Sequence, residues 1–252
     1  MMSPAGGPPS QEIPGTRDSP ATRIATVVAV GGLGMMVLLP LLERVPGVPH
    51  LNSDGWARHL TLWVGLFGAL RASWRDRHLC IAVGEAVRST SWRKRFDFLS
   101  RAGAVGILIC LTIVSIQLIS NQPWSDQAVG WLPLPIALLP MPLAFAGMAF
   151  LTLWRPREGW RTRLAIGSFA LLFGPALILL PYGLEPMARV VGIVLLVLMA
   201  GVGMPLFAAL GGAALLLYFL AGGEPVSVAY SVYTIAAADN LPSIPLLSLI
   251  HI

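Results

Sequence analysis

The sequence predicts an all-α integral membrane protein, a helical bundle of about six to seven transmembrane segments with an amphipathic connection on the cytoplasmic side. Three observations predict it. Hydrophobic residues make up 56% of the chain and charged residues only 12%, whereas soluble domains carry about a quarter charged residues. The apolar residues form long runs, several of them long enough to cross a hydrocarbon core of about 30 Å. The Lys and Arg side chains gather in short clusters between those runs, the pattern of cytoplasmic membrane loops.

The elements follow in order. Residues 1–23 hold five prolines and three glycines up to Pro20 and no apolar periodicity, so a disordered tail is expected. Ile24 to Leu42 is too long an apolar run for a cleaved signal peptide and reads as a retained first helix. The second span is centred on Leu60 to Leu70. Extended to Trp56 and Trp74 it covers about 27 Å at helical rise, with an indole at each interface and Arg58 and His59 snorkelling from its first turn. The same residues also fit a helix lying in the interface. Ala102 to Ser120 is the third span. Pro133 to Trp154 is the fourth, with a kink expected at Pro140 and Pro142, and Leu164 to Pro181 is the fifth. Val190 to Ala221 is apolar throughout but interrupted by Gly201, Gly203, Pro205, Gly211 and Gly212. It is either one tilted, broken helix or a helix followed by a re-entrant segment. His78 to Arg101 reads either as one or two short helices along the inner membrane surface, Phe96 and Leu99 marking the second, or as a solvated basic loop.

Charge placement orients the bundle. With the N-terminus cytoplasmic, the inner segments hold Arg17, Arg23, Arg71, Arg75, Arg77, Arg88, Arg93, Lys94, Arg95, Arg101, Arg155, Arg157, Arg161 and Arg163. The outer segments hold only Arg44, Arg58 and Arg189. Lys and Arg in short loops set orientation, so a multi-pass protein with a cytoplasmic N-terminus is expected.

The same placement argues against a nucleic-acid partner, which the pI of about 9.9 would otherwise admit. Cys80 and Cys110 form no disulfide framework and no His/Cys/acid cluster has metal-ligand spacing, so neither metal nor cofactor is expected. No nucleophile elbow, paired-histidine zinc motif or phosphate loop is present, and catalysis is not expected. An ionisable group inside a membrane marks a functional site by default, and the first, third, fourth and fifth spans contain none. Their polar side chains, such as Thr112, Ser115, Gln117 and Ser168, read as helix-packing contacts. Trp56 and Trp63 are seven apart and share a helix face, with Arg58 on another. Trp63 lies below the outer interface, where an indole N–H needs a partner; it is expected to pack on another helix, with Gly65 and Gly68 allowing close backbone approach nearby.

From Trp56 the chain runs Trp-Ala-Arg-His-Leu-Thr-Leu-Trp-Val-Gly-Leu-Phe-Gly-Ala-Leu-Arg-Ala, with His78-Leu79 soon after. This resembles the small, four-helix membrane subunit of tripartite ATP-independent periplasmic (TRAP) transporters. There an Arg precedes a Trp by five residues, a Phe/Leu-Gly-Ala follows, and a His-Ile/Leu opens the cytoplasmic connection. Arg58, Trp63, Gly68, Ala69 and His78 match. Gly55 and Ala82 stand where the family often has Glu and Asp.

Beyond residue 186 the chain resembles the start of the large membrane subunit of the same transporters. Val190 to Leu198 corresponds to its first Leu/Val-rich helix, Gly203-Met204-Pro205 to a Gly-x-Pro, Ala208 to Leu217 to a small-residue apolar segment, and Leu241 to Leu246, containing Ile244-Pro245, to a Leu-x-x-Ile-Pro-Leu element. The resemblance implies a tail at 1–23, a small-subunit-like region at 24–154, a connecting helix at 155–186 and the start of a large-subunit-like region at 187–252. It implies a sodium-coupled importer of organic acids such as dicarboxylates in the bacterial inner membrane. Its partners would be a periplasmic substrate-binding protein and the remainder of the large membrane subunit, whose hairpins hold the sodium and substrate sites. The sequence is accordingly expected to be truncated, with its last few residues not native. A membrane anchor or assembly subunit without a transport role is the other function class these nearly uncharged helices allow.

Overall fold

A computed structural model of the chain describes residues 20–47, 52–74, 90–129, 132–154, 159–179, 187–201, 203–236 and 238. The described residues are mostly helical. Helices α1 (Pro20–Glu43), α2 (Ser53–Trp74) and α3 (Thr90–Ser120) come first. A small antiparallel ribbon follows, β1 (Gln127–Val129) with β2 (Leu132–Pro133), and then α4 (Leu134–Leu138), α5 (Pro140–Leu153), α6 (Trp160–Leu179), α7 (Met187–Gly201), α8 (Leu206–Leu220) and α9 (Val226–Ala236).

Among the described residues three helical stretches are long and apolar enough to cross a membrane: Thr26–Glu43, Arg95–Ser120 and Leu134–Leu153. They indicate a membrane-embedded protein. Helices α7 to α9 contribute only shorter apolar stretches; at 15 residues, α7 and α8 are each about 22 Å long.

The centre of the bundle is α3, which packs against α5, α6, α7, α8 and α9. Its Ala104, Ile107, Leu108, Leu111 and Val114 join Leu62 and Leu66 of α2 and Met141, Ala144 and Met148 of α5 in the main buried cluster. α1 lies along α2 and leaves Ile24, Val27, Val30, Leu38 and Leu41 exposed, an apolar flank suited to lipid. α2 packs against both α1 and α5 within the bundle.

Several expectations are revised. α3 begins at Thr90, so Phe96 and Leu99 belong to the third long helix and not to a separate surface helix. No Pro or Gly interrupts the chain before Gly103, and propagating a helix is easier than nucleating a new one. The remainder of the proposed surface helix, residues 75–89, lies outside the described residues, as does most of the N-terminal tail, although α1 already starts at Pro20. The expected kink is present. α4 gives way to α5 at Leu139, whose N–H reaches Ile136 O at 3.2 Å. Pro140 has no N–H to offer that carbonyl, so the tighter bond closes the turn.

The long apolar run does not continue as one tilted helix. Gly203 adopts φ 110°, its N–H bonds to Ala200 O at 3.2 Å and that of Met204 to Met199 O at 3.1 Å. This is a Schellman stop, in which glycine takes the left-handed position without a Cβ penalty. Pro205 then caps α8, its carbonyl accepting from Ala208 and Ala209. Leu216 lies beside Gly192, and Leu196 beside Gly212. The two helices therefore run antiparallel, as a hairpin centred on Met204.

Candidate functional site

The candidate residues fall into three places. Trp56, Arg58 and Trp63 lie on α2, Gly203 and Pro205 form the α7–α8 turn, and His78, Ile244 and Pro245 lie outside the described residues.

The start of α2 is held from two directions. Asn52, in the left-handed region at φ 53°, accepts the Trp56 N–H on its carbonyl at 3.1 Å and the Gly55 N–H on Oδ1 at 3.4 Å. Glu43, the last residue of α1, accepts the Ser53 N–H on Oε1 at 3.0 Å and the Ser53 hydroxyl on Oε2 at 2.5 Å. Two of the orphan donors of this helix end are thereby satisfied, and the carboxylate sits at the favourable pole of the helix dipole. Trp56 and Arg58, in the first two turns, are half-buried.

Trp63 packs against the main core and donates its indole N–H to Ala137 O at 2.8 Å, joining α2 to α4. The glycines expected to aid this approach do not. A Cβ on Gly65 or Gly68 would meet nothing within 4 Å, because both lie on the exposed side of α2. Close approach occurs elsewhere. A Cβ at Gly147 would lie 2.8 Å from Leu70 Cδ1, and one at Gly212 would lie 2.6 Å from Ile107 Cδ1. Met199 and Met204 close over Gly103 in the same way, seating the hairpin turn on α3.

His59 does not snorkel: it is 4% exposed. Its Nδ1 lies 2.9 Å from Gly55 O and its Nε2 lies 3.2 Å from the Tyr233 hydroxyl of α9. A carbonyl only accepts, so Nδ1 carries the proton of the neutral ring and Nε2 accepts from Tyr233. With both nitrogens engaged the ring can be buried at little cost. The two rings also meet at 5.9 Å between centroids. The sequence reading has His59 snorkelling outward and misses this contact, because its partner is 174 residues distant in sequence.

Of the polar side chains expected to make helix-packing contacts, two bond within their own helix. Thr112 and Ser115 donate to Leu108 O and Leu111 O, each at 2.7 Å, while Gln117 and Ser168 are exposed. Cys110 is buried. Among the described residues no group of three or more His, Cys, Asp or Glu is placed to hold a metal ion.

Chemically, the arrangement is an interface. The hairpin α7–α8 and helix α9 dock on α2 and α3 through small residues, methionines and one His–Tyr hydrogen bond. Comparison with models of protein families and with curated protein sequences finds no match for this chain.

Proposed function

We propose that this chain is the membrane scaffold of a TRAP-type, sodium-coupled secondary transporter that imports organic acids, dicarboxylates among them, delivered by a periplasmic substrate-binding protein. In this reading α1 to α5 form the small-subunit-like bundle, α6 is the connecting helix, and α7 to α9 begin the large-subunit-like region. The chain crosses the bacterial inner membrane six to seven times, with its N-terminus and arginine-rich connections in the cytoplasm. It brings no catalytic group or cofactor of its own, and the remainder of the large subunit supplies the transport sites.

The observation that supports this reading is the docking of α7 to α9 on α2 and α3, with Tyr233 on His59 at the contact. A brace for a mobile partner needs such an interface between two helical regions. The resemblance of Arg58, Trp63, Gly203 and Pro205 to the family motifs names the partner. The test is uptake of labelled organic acids under an imposed sodium gradient, in the native host with and without the gene. Loss of sodium-dependent uptake on deletion, restored by the gene, supports the proposal.

The scarcity of buried polar side chains favours a second reading, a membrane anchor or assembly subunit. Among the described residues the fully buried polar or charged ones are Ser53, His59, Ser100 and Ser115. Under that reading, deletion leaves uptake of every organic acid unchanged.

A further inference from the structure

His59 sits in the second turn of α2 with both ring nitrogens taken, Nδ1 by Gly55 O and Nε2 by the Tyr233 hydroxyl of α9. The imidazole is buried, and the Tyr233 ring lies against it. On its other side α9 is tied to α8, where the hydroxyls of Tyr218 and Ser231 lie 2.9 Å apart. The His59–Tyr233 bond therefore joins the C-terminal helices to α2. The elements packed on α2 are α1, α5, α9 and β1. α5 and β1 carry no ionisable side chain, and α9 brings Tyr230 and Tyr233, which stay neutral well above pH 7. α1 brings Glu43, bonded to Ser53 at the start of α2, and Arg23 at its far end. On α2 itself Arg58 adjoins His59, Asp54 is exposed in the first turn, and Arg71 lies in the last turn.

We propose that His59 and Tyr233 form a proton-operated latch: α9 is held on α2 while the imidazole is neutral and is released when the ring takes up a proton. A tyrosine hydroxyl both donates and accepts, so the hydrogen bond alone does not decide. Charge does. With Nδ1 on a backbone carbonyl and Nε2 on a hydroxyl, neither ring nitrogen bonds a carboxylate. Arg58 adds a like charge from the next position, and a cation buried without a bonded counter-charge is costly. Withdrawing α9 uncovers the ring near the end of α2, where water can hydrate it. A hydrated imidazole takes up its proton near pH 6.5. Below that pH the released chain binds more protons than the docked one. Docking is therefore at full strength above about pH 6.5 and weakens as pH falls, by up to about tenfold per pH unit. The latch needs only the contact between α2 and α9 and is independent of the transport reading.

The distance between α2 and α9 provides the test. Gly65 and Ile235 are exposed on the two helices. Nitroxide labels are placed at Gly65→Cys and Ile235→Cys in the full-length chain, with Cys80 and Cys110 replaced by alanine, and the purified protein is studied in neutral detergent by pulsed electron paramagnetic resonance. The parent should show one short distance at pH 8 and gain a longer one as pH falls from 6.5 to 5. The chain has four histidines, so His59→Phe separates this ring from the rest; its distance distribution should be the same at every pH. Tyr233→Phe keeps both rings but leaves Nε2 without its hydroxyl, and the ratio of released to docked chain should rise about fivefold at a given pH. Should His59→Phe fail to insert, Tyr233→Phe still tests the pair, because its release midpoint must move to higher pH. A parent distance that stays fixed from pH 8 to pH 5 would overturn the proposal. So would the parent's pH response surviving in His59→Phe, or a Tyr233→Phe chain that titrates like the parent.

Discussion

The indole N–H of Trp63 donates to the carbonyl of Ala137 across 74 residues, at 2.8 Å. The acceptor lies in the turn before the break at Leu139, where Pro140 and Pro142 cannot donate to the carbonyls four residues behind them. A kink in one helix thus meets the polar tip of an aromatic side chain from another. Trp63→Ala removes both the packing and the hydrogen bond and should destabilise the bundle by about 3 kcal/mol, the lower end for buried aromatic truncation. Trp63→Phe keeps most of the packing and should cost about 1 kcal/mol. Trp63 packs on the main core and bonds to α4, so Trp56→Ala should cost much less than Trp63→Ala. Thermal unfolding in detergent ranks the three; Trp56→Ala as the most damaging would mean that the packed face of α2 is the other one.

The Glu43–Ser53 contact makes a separate prediction. Glu43→Ala leaves the Ser53 N–H and hydroxyl without this acceptor and should destabilise by about 1–2 kcal/mol, the range for lost helix caps. Glu43→Gln retains one acceptor oxygen and should cost about half as much. If neither variant shifts the unfolding midpoint, this cap contributes nothing to holding α1 against α2.

Much of this fold was legible because its determinants are local. The apolar runs located the long helices, Pro140 announced the break at Leu139, and Gly203 with Pro205 marked the interruption of the last run. What those elements touch was not legible. The nearness of Gly65 and Gly68 to Trp63 in sequence suggests packing glycines, but helix rotation turns them outward, and close approaches fall at Gly147 and Gly212. Its place in the first turn of a span predicts a surface position for His59. Its burial depends on Tyr233, and no local pattern links residues 174 apart. The surface helix expected around Phe96 and Leu99 failed for a third reason: a polar segment with no breaker simply extends α3.

The two kinds of glycine should respond oppositely to alanine. Gly68→Ala adds a methyl into open space and removes helix-disfavouring backbone freedom, so it should be neutral or stabilise by up to about 1 kcal/mol. Gly212→Ala drives a methyl against Ile107 and Leu196 and should cost about 1–3 kcal/mol through overpacking. Gly203→Ala, at φ 110°, should also destabilise by about 1–2 kcal/mol, because an L-residue is strained there. Midpoints for the three variants, measured in one detergent, check the order; a Gly68→Ala variant less stable than Gly212→Ala would reverse the packing assignment.

Topology provides the most direct test of how the chain sits in its membrane. Of the 17 Lys and Arg residues, all but Arg44, Arg58 and Arg189 fall in segments expected on one side, a bias that sets orientation when loops are short. Thr162, exposed in the first turn of α6 beside Arg161 and Arg163, belongs to that side. Ser91, near the start of α3, belongs to it as well. Ser125 follows the far end of α3 and is exposed, so it should face the other way. Single cysteines at these positions, in a chain whose Cys80 and Cys110 are replaced, can be probed in intact cells with a membrane-impermeant maleimide reaching only the periplasm. Ser125→Cys should label without treatment. Thr162→Cys and Ser91→Cys should label only after the inner membrane is permeabilised. Cys110 is buried, so its replacement must first be shown to leave the protein folded and inserted. Prompt labelling at Thr162 with protection at Ser125 would invert the protein in the membrane. Labelling at both without permeabilisation would mean that α4 and α5 do not together cross the bilayer.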